Sequence, residues 1–171
     1  MHAEIIVLRL IHILSGIFWV GSGMYANFFL VPALRESPAV LGQVMAGLMR
    51  RRVFRVIEIA AGLTILSGLR LMWIDSSGFS GSYFDTGMGN TLGIGGAAAI
   101  IAAVFNFGVG MPAMRRAGAL AASLGASSDA AEKARLAQQV DRLRKRAGIA
   151  GTLAISFGIL AASAMAIARY V

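Results

Sequence analysis

Few residues of this chain could carry chemistry, and those few lie within long apolar stretches. His12 is the most informative, because an imidazole held away from water needs a hydrogen-bonding neighbour or a metal. One reading makes it a packed histidine, satisfied by Ser15 or by a carbonyl of another helix. The other makes it an axial ligand to b-type haem or one ligand of a copper site. Either metal reading needs further donors at the same depth, and Met72 and Met165 are placed to supply them, with Met88 and His2 farther out. Histidine with methionine is a known haem pairing, and a soft thioether suits copper. Against this, most of nine methionines in so apolar a chain would serve as packing residues. Trp19 is expected to pack inside the molecule or to face a cofactor. Arg9 and Arg70 could snorkel, or could meet haem propionates.

A second polar group comprises Glu58, Arg55, Asn27 and Asn106. Glu58 and Arg55 are three residues apart, so one turn of helix stacks them into an ion pair. An intramembrane carboxylate is otherwise a candidate for proton or cation handling. Several chemistries lack their residues. With no cysteine there is no disulfide framework, thiolate metal site or cysteine nucleophile. The glycines of Gly87-Met-Gly89 and Gly93-Ile-Gly95-Gly96 lead into apolar helix with no adjacent base, so they do not cradle phosphate. No HExxH is present, and the two histidines do not place a Ser-His-Asp set.

The elements that must position these residues follow from composition. The chain has 171 residues, 57% apolar and 14% charged, with a mean hydropathy of +0.73. Soluble domains are about 45–50% apolar and roughly 25% charged. Crossing a bilayer takes about 20 apolar helical residues. Four stretches qualify as spans, at 5–31, 53–74, 90–114 and 148–168, within a single domain covering 1–171. The first is too long for a cleaved signal peptide. Continuous runs of this length favour helices over a barrel of short alternating segments. The expected fold is therefore an all-α membrane protein, an antiparallel bundle of four transmembrane helices.

Charge sets the orientation. Arg35, Arg50, Arg51 and Arg52 lie between the first two spans. Arg115, Arg116, Lys133, Arg135, Arg142, Arg144, Lys145 and Arg146 lie between the last two. The middle connection has Asp75 and Asp85 and no base. The positive-inside rule puts both basic connections in the cytoplasm and both termini outside, as for a multi-pass protein of a bacterial inner membrane. The net charge of +8 is thus a topology signal, and without interleaved aromatics nucleic acid is not an expected partner. Pro38 to Arg52 has Val40, Val44 and Leu48 at helical spacing, suiting a short helix at an anionic surface. Asp129-Ala-Ala-Glu132 resembles a capping box opening a helical extension over 129–147, with Asp141 set to pair with Lys145 and a bend expected near Gly148 and Gly151.

Small and hydrogen-bonding residues mark faces that touch other helices. In the first span these are His12, Ser15, Gly16, Trp19, Ser22, Gly23, Ala26 and Asn27. The second offers Glu58, Ala61, Gly62, Ile65, Gly68 and Met72. The third offers Gly89, Gly93, Gly96, Ala103, Asn106 and Gly110, and the fourth Gly151, Ile155, Gly158, Ala162 and Met165. Val31-Pro-Ala-Leu-Arg35 is echoed by Met111-Pro-Ala-Met-Arg115, and Gly62-Leu-Thr-Ile-Leu-Ser67 by Gly151-Thr-Leu-Ala-Ile-Ser156. The echoes would make the bundle a parallel duplication of two-helix hairpins.

Ile11-His12-Ile-Leu-Ser-Gly-Ile-Phe-Trp19-Val-Gly21, with the following Phe-Leu-Val-Pro32-Ala-Leu, resembles the first helix of the CopD-like integral membrane superfamily. Arg51-Arg-Val-Phe-Arg55 and the stretch from Gly62 to Gly68 extend the likeness over two spans. The superfamily includes copper-resistance protein D and, more distantly, HemJ-type protoporphyrinogen oxidases. The resemblance implies that His12 is a haem or copper ligand. The chain departs from the family in having no second intramembrane histidine, and in reading Val31-Pro-Ala-Leu-Arg35 where HemJ-type proteins carry a Leu-Pro-Arg turn. A cofactor would then need methionine, water or a second protomer to complete its coordination. The expectation is an inner-membrane protein that binds haem b or copper in the outer half of the bundle. The alternatives are an accessory subunit of a larger membrane complex, packing through Gly93 and Gly96, or a homodimeric transporter of protons or small solutes using Glu58.

Overall fold

Apolar runs in lipid must satisfy their own backbone, and helix does so within one segment. The computed structural model describes residues 2–171, apart from the side chains of Arg35, Pro38 and Ala39, and contains helices and short turns with no strand among the described residues. The helices are α1 (His2–Tyr25), α2 (Val31–Arg35), α3 (Pro38–Arg50), α4 (Val53–Asp75), α5 (Gly81–Phe84), α6 (Gly87–Ala103), α7 (Met111–Ala126) and α8 (Ala130–Ile167). Short π-helical segments, Ala26–Leu30 and Val104–Gly110, join α1 to α2 and α6 to α7. Four continuous helical stretches are long and apolar enough to cross a membrane: His2–Leu34, Val53–Asp75, Gly87–Ala126 and Ala130–Tyr170. This is an all-α, four-helix membrane protein, with α3 as the predicted short helix between the first two spans.

The third and fourth stretches run far beyond their apolar cores. Residues 115–126, predicted only as a basic connection, continue as α7 and pack against the start of α8. The 38 residues of α8 form one helix. It passes Gly148 and Gly151 without interruption. Asp129 caps α8, its carboxylate accepting from the Ala131 N–H at 3.0 Å. Glu132 does not complete a capping box; it turns forward to Arg135 at 2.8 Å. Asp141 and Lys145 pair as expected, at 2.9 Å.

Each span packs most closely on its sequence neighbour, α1 on α4 and α6 with α7 on α8, so the bundle is two hairpins laid together. The second hairpin closes on a seam of small residues. Leu136, Val140, Ala147, Ala150, Ala154 and Ala161 of α8 are buried, at the alternating three- and four-residue steps of a coiled-coil face. Ala99, Ala102, Ala113 and Ala117 are buried on the facing stretch. The interval from Ala102 to buried Gly110 exceeds a heptad by one residue, and the π turn between them takes up the excess. Ala162, expected to face inward, is exposed; the seam runs through Ala161 and Ala164 instead. In the second span the most buried line, Ala60, Ala61, Thr64 and Ser67, lies next to the predicted one.

Both π segments end before a proline. Pro32 and Pro112 cannot donate a backbone hydrogen bond, so the turn before each already lacks one partner and widens. The Val31 N–H reaches back to the Ala26 carbonyl, and the Met111 N–H to that of Asn106. The sequence echo at these two places is therefore also an echo of backbone shape. The side chain of Arg35, the counterpart of Arg115, lies outside the described residues.

Candidate functional site

Three spans meet at His12. α1 supplies the imidazole, α4 supplies Thr64, Ser67 and Gly68, and α8 supplies Met165. The predicted small-residue stripe of α1 does face protein, while Ile6, Leu10, Ile13, Leu14, Ile17 and Phe18 of the same helix are exposed toward the surroundings. Nδ1 of His12 lies 2.8 Å from the Thr64 carbonyl oxygen. A carbonyl has no proton to give, so Nδ1 carries the hydrogen and donates it. In this tautomer the ring's lone pair is on Nε2, which faces the Met165 sulfur at 3.4 Å.

The surroundings hold the ring in this pose. A Cβ on Gly68 would lie 2.7 Å from His12 Cε1, so the imidazole rests on a surface that only glycine leaves open. Beneath it are two buried hydroxyls. Thr64 Oγ1 lies 2.8 Å from both the Ala60 carbonyl and Ser15 Oγ, and Ser67 Oγ lies 3.4 Å from Nδ1 while donating to the Leu63 carbonyl. The ring is satisfied by a carbonyl of another helix, and its second nitrogen still presents a lone pair to a thioether. Of the two candidate methionines, Met165 is in contact. Met72 sets its methyl group against Gly96 of α6, where a Cβ would lie 3.2 Å away, and among the described residues no hydrogen bond joins it to His12.

No family model, curated protein or solved structure matches this chain. Its function must therefore be read from its own geometry. Among the described residues no three His, Cys, Asp or Glu side chains gather as a metal-binding group. The His12–Met165 contact sets one imidazole nitrogen against one thioether.

The remaining predicted residues have structural partners. Trp19, 7% exposed, packs with Ala60, Ala61 and Ala102 where the hairpins meet and stacks on Phe107 at 6.3 Å. Glu58 pairs with Arg115 of the third span at 2.9 Å and not with Arg55, which is exposed. The helical spacing admitted Arg55, but the antiparallel third span brings Arg115 alongside at the same level. Arg70 binds Glu4 through two nitrogens, at 2.6 and 3.0 Å; Glu4 is not among the residues singled out from the sequence. Arg9 is exposed. Asn27 donates to the Gly23 carbonyl at 2.9 Å and presents Oδ1 toward Gly151, 3.0 Å from where a Cβ would stand there. Asn106 contributes its backbone carbonyl to the second π turn.

A further polar residue was not foreseen from the sequence. Tyr83, in the connection between the second and third spans, buries its hydroxyl with no hydrogen-bond partner among the described residues. Burial raises its ionisation above the usual tyrosine range, and the charge of Asp75 raises it further. A tyrosine among serines and glycines gave no signal of burial.

Proposed function

We propose that this multi-pass membrane protein binds copper(I) between His12 and Met165. The observation that carries the reading is the 3.4 Å approach of His12 Nε2 to Met165 Sδ, with Nδ1 fixed on the Thr64 carbonyl. A metal-ligating histidine typically donates its other N–H to a carbonyl or carboxylate, which fixes tautomer and ring orientation. A thioether selects soft ions, of which monovalent copper is the best match. When bound, copper(I) would supply a soft, redox-capable centre in the bundle, and any third ligand would be water or another protomer's side chain. Haem fits less well. With the imidazole resting on Gly68 and Nε2 3.4 Å from the sulfur, a porphyrin would have to part the two side chains across its whole ring, whereas a single ion would be held at a bend between them.

The likeness of the first two spans to the CopD-like superfamily supports the same reading. The two basic connections at one end of the bundle support an inner-membrane location with both termini outside. The Glu58–Arg115 pair favours a structural role for Glu58 over solute transport. Gly93 and Gly96 meet Phe84 and Met72 of the same chain, which favours internal packing over a partner protein at those positions.

The test is anaerobic titration of the detergent-purified chain with copper(I) against a chromophoric chelator, after recording the optical spectrum of the protein as isolated. One copper per chain is expected, with H12A and M165L each weakening binding by at least about tenfold. No uptake, or uptake indifferent to both substitutions, overturns the reading. A Soret band that H12A abolishes overturns copper in favour of haem.

A further inference from the structure

Where the second hairpin leaves its apolar core, two depressions adjoin on its surface. The larger, of about 340 Å³, is walled almost wholly by apolar atoms of Phe105, Val109, Ile149 and Leu153. Its rim at the basic end is Arg142, Lys145 and Arg146. The smaller, of about 140 Å³, is mainly polar, shares Val109 and Arg146 with the first, and adds Arg116 from α7. Two helices thus converge cations on one spot and open an apolar groove directly beside it.

We propose that this composite site binds an anionic phospholipid, with its phosphate between Arg116 and Arg146 and an acyl chain along Phe105, Ile149 and Leu153. The order of residues on α8 dictates the polarity. Arg142, Arg146, Ile149 and Leu153 recur on one helix face, so charge gives way to apolar surface over two turns, as headgroup gives way to chain. The available charge also fits. Asp141 engages Lys145 at 2.9 Å, and Arg142 leans toward the Gln138 carbonyl at 3.5 Å. Among the described residues no acid pairs with Arg116 or Arg146, so those two guanidiniums are free to hold a phosphate in forked geometry. Basic pockets between spans beside the headgroup layer are suited to anionic lipids. The π turn over Val104–Gly110 contributes Phe105 and Val109 to the groove, which ties the site to the proline-linked widening of the third span. The inference rests on the membrane-spanning fold and is independent of copper.

The experiment measures lipid retained by the full chain after transfer from nanodiscs of phosphatidylcholine mixed with phosphatidylglycerol, read by native mass spectrometry. One phosphatidylglycerol per chain is expected in preference to phosphatidylcholine. R116Q/R146Q should reduce that preference about thirtyfold, at about 1 kcal/mol for each cation. L153W, which fills the groove and keeps the charge, should lose the lipid as well. R144Q, on the opposite face of α8, should retain it. Glycerol phosphate added in excess should not displace the lipid, since it lacks the chain. Equal retention of the two lipids, equal loss in R144Q and R116Q/R146Q, or displacement by glycerol phosphate overturns the proposal. Circular dichroism of each variant separates loss of the site from loss of fold.

Discussion

Gly68 and His12 meet so closely that a single added carbon on the glycine would stand 2.7 Å from the imidazole Cε1 and 3.0 Å from Nδ1. The ring's hydrogen bond to Thr64 and its approach to Met165 both depend on that clearance. Gly68→Ala should therefore displace the ring and weaken copper(I) binding at least about tenfold with every ligand still present, in the range found for groups that orient a metal ligand. Gly62→Ala is the matched control. Nothing stands within 4 Å of a Cβ there, so binding should be unchanged, and stability should rise by about 0.5–1 kcal/mol from the helical preference of alanine. Equal copper affinity in the two variants would count against the role given to Gly68.

Glu58 and Arg115 tie the second span to the third at 2.9 Å, with side chains 34% and 59% exposed. Partial exposure limits what such a pair contributes, commonly to about 0.2–1 kcal/mol. A double-mutant cycle of Glu58→Gln and Arg115→Gln, followed by thermal unfolding in detergent, should give a coupling energy in that range. The same cycle with Arg55→Gln should give none. Coupling to Arg55 instead would restore the pairing expected from helical spacing.

The class of fold was legible because it depends on quantities that sequence carries directly, namely the length of apolar runs and the position of charge. Faces were legible to within one residue, since small residues line the contacts of α1 and α8 whatever their partners. Pairings between spans were not. Glu58 met Arg115 and not Arg55, and Arg70 met Glu4, because such partners are set by the relative level of antiparallel helices and helical spacing is silent about that. The extension of α7 was hidden for a related reason: residues 115–126 open with two arginines and are too short to read as a span, and their helix packs on α8 alongside. At the candidate site, His12 and Met165 could be named from their residue types and depth. The Thr64 carbonyl that fixes the tautomer could not, because any residue offers a backbone carbonyl.

Tyr83 gives a pH-dependent prediction. Its hydroxyl is buried without a hydrogen-bond partner among the described residues, and its ionisation is raised above the ordinary value of 10.0 by burial and by Asp75. A tyrosine that ionises less readily when folded disfavours the folded state once the unfolded chain begins to lose that proton. Its contribution to stability is therefore constant below about pH 10 and falls as the pH rises through that value. Tyr83→Phe should flatten this alkaline loss in thermal melts run from neutral to strongly basic pH. At neutral pH it should leave stability unchanged or raise it by up to about 1 kcal/mol, because an unsatisfied polar group is removed. A steeper alkaline loss in the variant would overturn the assignment.

Gly95 and the seam of the second hairpin set the last prediction. A Cβ on Gly95 would stand 3.1 Å from Ala164 Cβ and 3.3 Å from the Ala161 carbonyl oxygen, whereas one on Gly118 would meet nothing within 4 Å. Close approach of this kind is how helices bind one another in lipid, where apolar side chains gain little by leaving their surroundings. Gly95→Val must push α6 away from α8 or strain both, at a cost of about 1–3 kcal/mol. Gly118→Ala carries no such cost and should be neutral or stabilising. Unfolding in detergent compares the two directly, and cross-linking between α6 and α8 reports the separation. If Gly95→Val unfolds no earlier than Gly118→Ala, the small residues of the seam are not what holds the second hairpin together.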